Sequence, residues 1–229
     1  MEIKNVKRVR LISKYNSLAR VKCEYEDLKS NYRKYEIFFI DRNNQVVAFF
    51  ENTEYFIVEQ LLENNEHLFH VMIYADKNRI HQIIQIKNGK QVLLNTYDEI
   101  EDYVADGTFA VKKDGLWGFI DAEGNEIITP QYERCSNFKN GIAIVEKNSN
   151  RGYINKKGEE ITPLKYWKCN LFYGDITTAR THDLITDVID KNGKILFKSK
   201  PRQDVFNLGN GSILVENEPN KFEIVKIKE

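Results

Sequence analysis

The stretch Trp117-Gly118-Phe119-Ile120-Asp121-Ala122-Glu123-Gly124 constrains the fold most, because the rest of the chain copies it in diluted form. It reads as an apolar strand, a tight turn at Glu123-Gly124, and a second apolar strand through Ile127 and Ile128. Ile40, Ile86, Ile154, Ile189 and Ile224 stand at the point held by Ile120, and after the first gap the spacing is 34 or 35 residues. In the internal copies the turn usually ends in Gly, which supplies the positive φ of a tight hairpin. A second strand lies upstream of each copy, clearest in Gly141-Ile142-Ala143-Ile144-Val145-Glu146, with relatives beginning at Ser17, His67, Gly107, Asp175 and Gly211. Apolar residues alternate along most of these, so each strand has one buried face. A hairpin of this size cannot bury that face alone, and tandem copies must cover one another.

Neighbouring copies match residue by residue. Gly118, Phe119, Ile120, Asp121 and Gly124 map onto Gly152, Tyr153, Ile154, Asn155 and Gly158 at one offset, and Tyr132 and Cys135 onto Tyr166 and Cys169. With Pro130, Phe138, Gly141, Ala143 and Val145, these residues resemble the WG (KWG) repeat family of bacterial proteins. The match is clear over 107–175 and degenerate over 17–106 and 176–229. Only Trp117-Gly118 is a true Trp-Gly pair; Arg151, Ile83 and Thr186 replace the Trp elsewhere. The resemblance implies a tandem β-repeat scaffold and no particular activity.

The expected fold is therefore all-β, one domain over residues 1–229. The last copy stops just after the strand that precedes its turn, and residues 1–16 read as the complementary half. Complementary halves at the two ends suit a propeller-like closed ring of about six short blades. An open β-repeat array, starting in any phase, is the alternative. The first copy is longer, with an insertion at 49–66 whose segment 53–65 suits either a short helix or a strand pairing back onto 67–74.

Charge narrows the function. There are 34 basic and 34 acidic side chains, so no global excess exists for neutralising phosphates. The N-terminal stretch is locally basic, and Lys7, Arg8 and Arg10 are its candidate contacts for nucleic acid. Three separated cysteines do not make a disulfide framework and fit a reducing compartment. No apolar run approaches the ~18 residues of a membrane span, and the N-terminus lacks a secretion signal, so a cytoplasmic location without membrane contact is expected.

Catalytic signatures are missing from the sequence. There is no phosphate-binding glycine loop, no serine elbow and no zinc-binding His-Glu-x-x-His element. His67 and His70 are three apart on one strand and point to opposite faces, a poor geometry for a shared metal. Cys135 and Cys169 read as small core residues at repeat-equivalent sites. No catalytic residue, metal or cofactor is expected. Trp167 stands where the preceding repeat has Glu133, a water-facing position, and an exposed Trp on a rigid scaffold suits partner binding. Tyr173 would extend that patch, and Tyr55 and Phe56 in the insertion form a second candidate. The expected function is a non-catalytic protein-binding scaffold, in its sharper form an inhibitor or immunity factor that occludes a partner. The alternatives are a nucleic-acid contact through the basic strand, or a loop-based carbohydrate or small-molecule enzyme.

Overall fold

The computed structural model describes residues 8–14, 19–26, 33–43, 45–51, 55–62, 65–75, 78–87, 90–101, 106–219 and 221–227. Every regular element among them is a β-strand. Each sheet is a meander, its strands paired in chain order. The first contains β1 (Arg8–Lys14), β2 (Ala19–Glu26), β3 (Arg33–Ile40) and β4 (Val46–Glu51). The second contains β5 (Tyr55–Leu62), β6 (Asn65–Ala75), β7 (Asn78–Lys87) and β8 (Lys90–Tyr97). The insertion is thus a strand, with β5 antiparallel to β6. The third contains β9 (Glu99–Ile100), β10 (Thr108–Lys113), β11 (Leu116–Asp121) and β12 (Glu126–Tyr132).

A seven-stranded sheet follows: β13 (Arg134–Cys135), β14 (Ile142–Lys147), β15 (Asn150–Asn155), β16 (Tyr166–Cys169), β17 (Ile176–Thr181), β18 (Thr186–Asp190) and β19 (Ile195–Lys198). It holds two repeats, joined by the pair Arg151↔Tyr166 between β15 and β16. The last sheet has three strands, β20 (Val205–Asn207), β21 (Ser212–Glu218) and β22 (Lys221–Lys226). Dividing the seven-stranded sheet at that joint gives six strand groups, matching the six copies in the sequence. β1 pairs with β2 in the first sheet.

The chain forms two compact units, Met1–Asp114 with Ile120–Glu126, and Gly115–Phe119 with Ile127–Glu229. In the first, Ile37, Phe39, Ala48 and Phe50 pack against Phe69, Val71 and Ile84 of the next sheet, and Ile83 packs with Tyr97, Phe109, Val111 and Ile120. In the second, Ile142 and Tyr153 pack with Ala179 and Ile189, and Ile176 and Val188 with Ile213 and Val215. One repeat's sheet face therefore covers the next.

The motif glycine has a steric role. A Cβ on Gly118 would lie 2.4 Å from the Ile128 carbonyl oxygen, and one on Gly152 2.7 Å from a Leu164 methyl. The following segment presses on the strand at this point, and only glycine leaves room for it. The fifth repeat lacks the glycine: Asp187, two residues before Ile189, stands there instead. Its strand pairs with β19 through Asp187↔Lys198 and Val188↔Phe197, with a register shift before Ile189↔Ile195.

Ladder register corrects two expected equivalences. Phe69 pairs with Ile84, so Ile84, not Ile86, holds the second copy of the Ile120 position. Ala143 pairs with Ile154, Thr177 with Ile189, and Ile213 with Val225. Val225, not Ile224, therefore holds the sixth copy of the Ile120 position. A slip of one residue turns a side chain to the other face of its sheet. Ile224 is accordingly 65% exposed, whereas Ile154 and Ile189 are fully buried.

Candidate functional site

Four turns share one construction. The side-chain Oδ1 of Asp41, Asp121, Asn155 and Asp190 accepts from the backbone amides two and four residues on, at 2.8–3.0 Å. A short carboxylate or amide side chain suits this role because it reaches its own backbone. The amides of Gly124, Gly158 and Gly193 donate back to the carbonyls of Asp121, Asn155 and Asp190. These glycines have φ of 84°, 79° and 85°, the left-handed region that side chains disfavour. The Asp or Asn of the repeat is thus a turn-building residue.

The surface candidates separate. Trp167 is 41% exposed and occupies the irregularity between the pairs Tyr166↔Thr181 and Lys168↔Arg180. Tyr173 bridges to Ile176 at the opposite end of β17. Five residues of strand separate the two positions, about 16 Å at the usual rise, so Tyr173 does not extend a Trp167 patch. Tyr173 has its own setting. It is 65% exposed, and its ring lies so close to Gly209 that a Cβ there would fall 1.9 Å from Cε1. Asn207 fixes the loop by donating from Nδ2 to the carbonyls of Tyr173 and Ile176 at 3.0 and 2.7 Å. Its Oδ1 accepts from the Gly209 amide at 2.8 Å. Leu171 and Leu208, both exposed, lie two and one residues along the chain from this contact. Tyr55 and Phe56 fall on β5, and Arg8 and Arg10 on β1 with Cα partners Glu24 and Lys22. Lys7 lies outside the described residues.

Buried polar groups are concentrated in the fifth repeat. Asp187 is fully buried; its Oδ2 accepts from the Tyr166 hydroxyl at 3.0 Å and lies 3.4 Å from Lys165 Nζ. Its Oδ1 has no partner among the described residues. The Tyr153 hydroxyl donates to the Asn170 carbonyl at 2.7 Å and lies 3.1 Å from Thr177 Oγ1. Burial first, then the Asp187 charge, raises the pKa of Tyr166; burial also raises that of Tyr153. The Cys169 thiol is pushed up to about 12, chiefly by burial, which makes it a poor nucleophile at neutral pH.

Two features escape a reading of the sequence. His70 is buried, and its Nε2 lies 2.8 Å from His81 Nδ1 with the rings stacked. Comparing His67 with His70 looks along one strand, whereas the partner lies across the ladder on β7. Asp187 could have been found by aligning two residues back from Ile189 to the motif glycine. Cavities are present among the described residues of the second unit. One of about 380 Å³ is bordered by Asp175, Ile176, Asp190, Lys194, Leu196 and Ile227. Another, about 310 Å³, is bordered by Lys200, Arg202, Gln203, Glu216 and Asn217.

The strands, turns and pressed glycines define a tandem β-repeat protein. A family model described as "WG containing repeat" matches residues 87–117, 117–150 and 152–181. These three matches run in tandem and begin upstream of 107. No curated protein matches the chain. Among solved structures it is similar to BamB from Moraxella catarrhalis (TM-score 0.34, 12% identity, covering 87% of this chain and 76% of that one). It is also similar to Pyrococcus horikoshii acylaminoacyl peptidase (TM-score 0.36, 11% identity, covering 87% and 41%), and so spans less than half of that chain.

The buried tyrosines set an alkaline limit. Tyr97 has a buried hydroxyl without a partner among the described residues, and its pKa is raised to about 12 by burial and then by Glu126. A raised pKa keeps the folded form protonated where the unfolded chain has released its proton. The contribution to stability is full below pH 10 and lost as pH climbs through about 12. Urea midpoints are expected to fall across that window, and Tyr97→Phe to make the fall shallower. A slope unchanged in Tyr97→Phe would contradict this assignment.

Proposed function

We propose that this protein is a non-catalytic scaffold that binds another protein, with a contact surface centred on Tyr173. The observation that carries the reading is a tyrosine 65% exposed yet seated on Gly209, in a loop locked by Asn207. An aromatic side chain fixed before binding loses little entropy on contact, which is why such residues act as anchors. Leu171 and Leu208 supply apolar area beside it. Trp167 is a separate, second contact point. The sharper form of the reading is an inhibitor or immunity factor that covers a partner's working surface. The test replaces Tyr173 with a photo-crosslinking phenylalanine analogue in the source cell. A single discrete adduct is expected from position 173 and none from exposed Lys157. Equal adducts from both positions, or none from 173, would overturn the reading.

We also propose that the six strand groups close into a propeller-like ring. In support, Leu214↔Ile224 repeats the ladder position of Thr178↔Val188, yet Val188 is fully buried and Ile224 largely exposed. Phe206, opposite Leu214, adds to the same face. In the fifth repeat this face carries the next sheet; in the sixth a neighbour is still needed. A compact 229-residue chain has a radius of gyration of about 17 Å. Small-angle scattering at that value is expected for the ring, and a clearly larger value would favour the open array.

A further inference from the structure

Asn-Gly pairs carry chemistry of their own. The amide nitrogen after an asparagine can attack the side-chain carbonyl carbon, and a following glycine leaves that nitrogen uncovered. The chain has such pairs beginning at Asn88, Asn140, Asn192 and Asn210, and the last three lie among the described residues. All three of these asparagines are exposed, so access to water does not separate them. The freedom of the glycine amide does.

At Asn192-Gly193 that amide is committed. It donates to the Asp190 carbonyl at 3.0 Å, and the Asn192 amide donates to Asp190 Oδ1 at 2.9 Å. The backbone is also pressed on its neighbour, since a Cβ on Gly193 would lie 2.0 Å from the Ile161 carbonyl oxygen. Asn140-Gly141 is a two-residue hairpin loop with both residues at positive φ, clamped by reciprocal bonds between Lys139 and Ile142 at 2.9 and 3.2 Å. Swinging the Gly141 nitrogen toward Cγ would break that closure. Asn210-Gly211 has neither restraint. The Gly211 amide and the Asn210 side chain have no hydrogen-bond partner among the described residues. A Cβ on Gly211 would meet nothing within 4 Å, so an imide ring has room to form.

We propose that Asn210-Gly211 is a self-modification site that ages the Tyr173 surface. The Gly211 nitrogen bonds to Asn210 Cγ, the Cγ–Nδ2 bond breaks, and Nδ2 leaves as ammonia with the Gly211 amide proton. Water then opens the cyclic imide. Cleavage at Cγ gives aspartate; cleavage at the Asn210 main-chain carbonyl gives isoaspartate, whose main chain runs through an extra methylene. Both products add a negative charge, but only isoaspartate lengthens the loop. Gly209 is the adjoining residue, and it meets the Tyr173 ring so closely that no side chain fits between them. A Cβ on Gly174 would likewise lie 2.6 Å from the Gly209 carbonyl oxygen. A seat this tight does not tolerate a longer loop, so isoaspartate releases Tyr173. The chemistry goes beyond the protein-binding reading and needs no partner.

The test incubates the intact protein in mildly alkaline heavy-oxygen water and follows each Asn-Gly peptide by mass spectrometry. A urea-unfolded sample, with every pair free, supplies the reference rates. Folded, Asn210 is expected to convert close to its unfolded rate, and Asn140 and Asn192 at least about fivefold below theirs, the weight of one hydrogen bond on a rate. Asn210 protected as strongly as the other two, or either of them converting as fast as Asn210, would overturn the site. Aged protein is expected to show a second set of NMR signals for Tyr173 and Gly209. That set is absent from aged Asn210→Gln, whose longer side chain closes an imide far more slowly, and from fresh Asn210→Asp, which adds charge without length. Isoaspartate accumulating with both signals unchanged, or the same second set in fresh Asn210→Asp, would overturn the effect on Tyr173. No adduct from position 173, alongside the expected results here, removes the scaffold reading and leaves the modification standing.

Discussion

The structure depends on one small interaction used repeatedly: an Asp or Asn side-chain oxygen that accepts two amides of its own turn. Each such bond is worth about 1 kcal/mol net, and their larger effect is geometric. They close the hairpin so that a glycine at positive φ ends up at its tip. That glycine can approach a neighbouring backbone as no other residue can. Gly193 on the Ile161 carbonyl is the outcome, while Gly158 meets the Ile128 side chain at ordinary contact distance. Local turn chemistry thereby sets the distance at which one repeat meets the next.

Once that distance is fixed, period-2 alternation decides what each face carries. Ile154 and Ile189 are fully buried because their strands present one face to a packed neighbour. The opposite face of the fifth repeat, with Ile176 and Val188, receives Ile213 and Val215. The glycine that gives the repeat its name matters for a related reason. Gly118 and Gly152 lie beneath a following segment, and at Asp187 the same place holds a carboxylate that Tyr166 and Lys165 must satisfy. Replacing glycine there exchanges a backbone contact for a buried polar cluster, which is costly when left incomplete.

Much of the fold is legible in the chain. Repeat spacing, strand alternation and the turn glycines all follow from short-range steric rules, so the residue order alone displays them. The insertion stays open between helix and strand at that level because its apolar residues suit both periods. Ile224 is misplaced by spacing because it is apolar, like its neighbour Val225, and only the ladder distinguishes them. The candidate site is less legible. Exposure of Trp167 follows from the Glu133 equivalence, but its distance from Tyr173 depends on which end of β17 each residue faces. The seating of Tyr173 on Gly209 and the His70–His81 contact are between strands, and nothing within one strand encodes them.

The central claim is that a repeat's turn holds the repeat before it. Native-state amide exchange in Asp190→Ala tests this most directly. Loss of protection is expected at Asn192 and Lys194, whose amides lose their acceptor, and also at Ile161, whose amide donates to the Tyr153 carbonyl within the preceding repeat at 2.8 Å. Faster exchange confined to Asn192 and Lys194, with Ile161 as slow as in the parent protein, would contradict it.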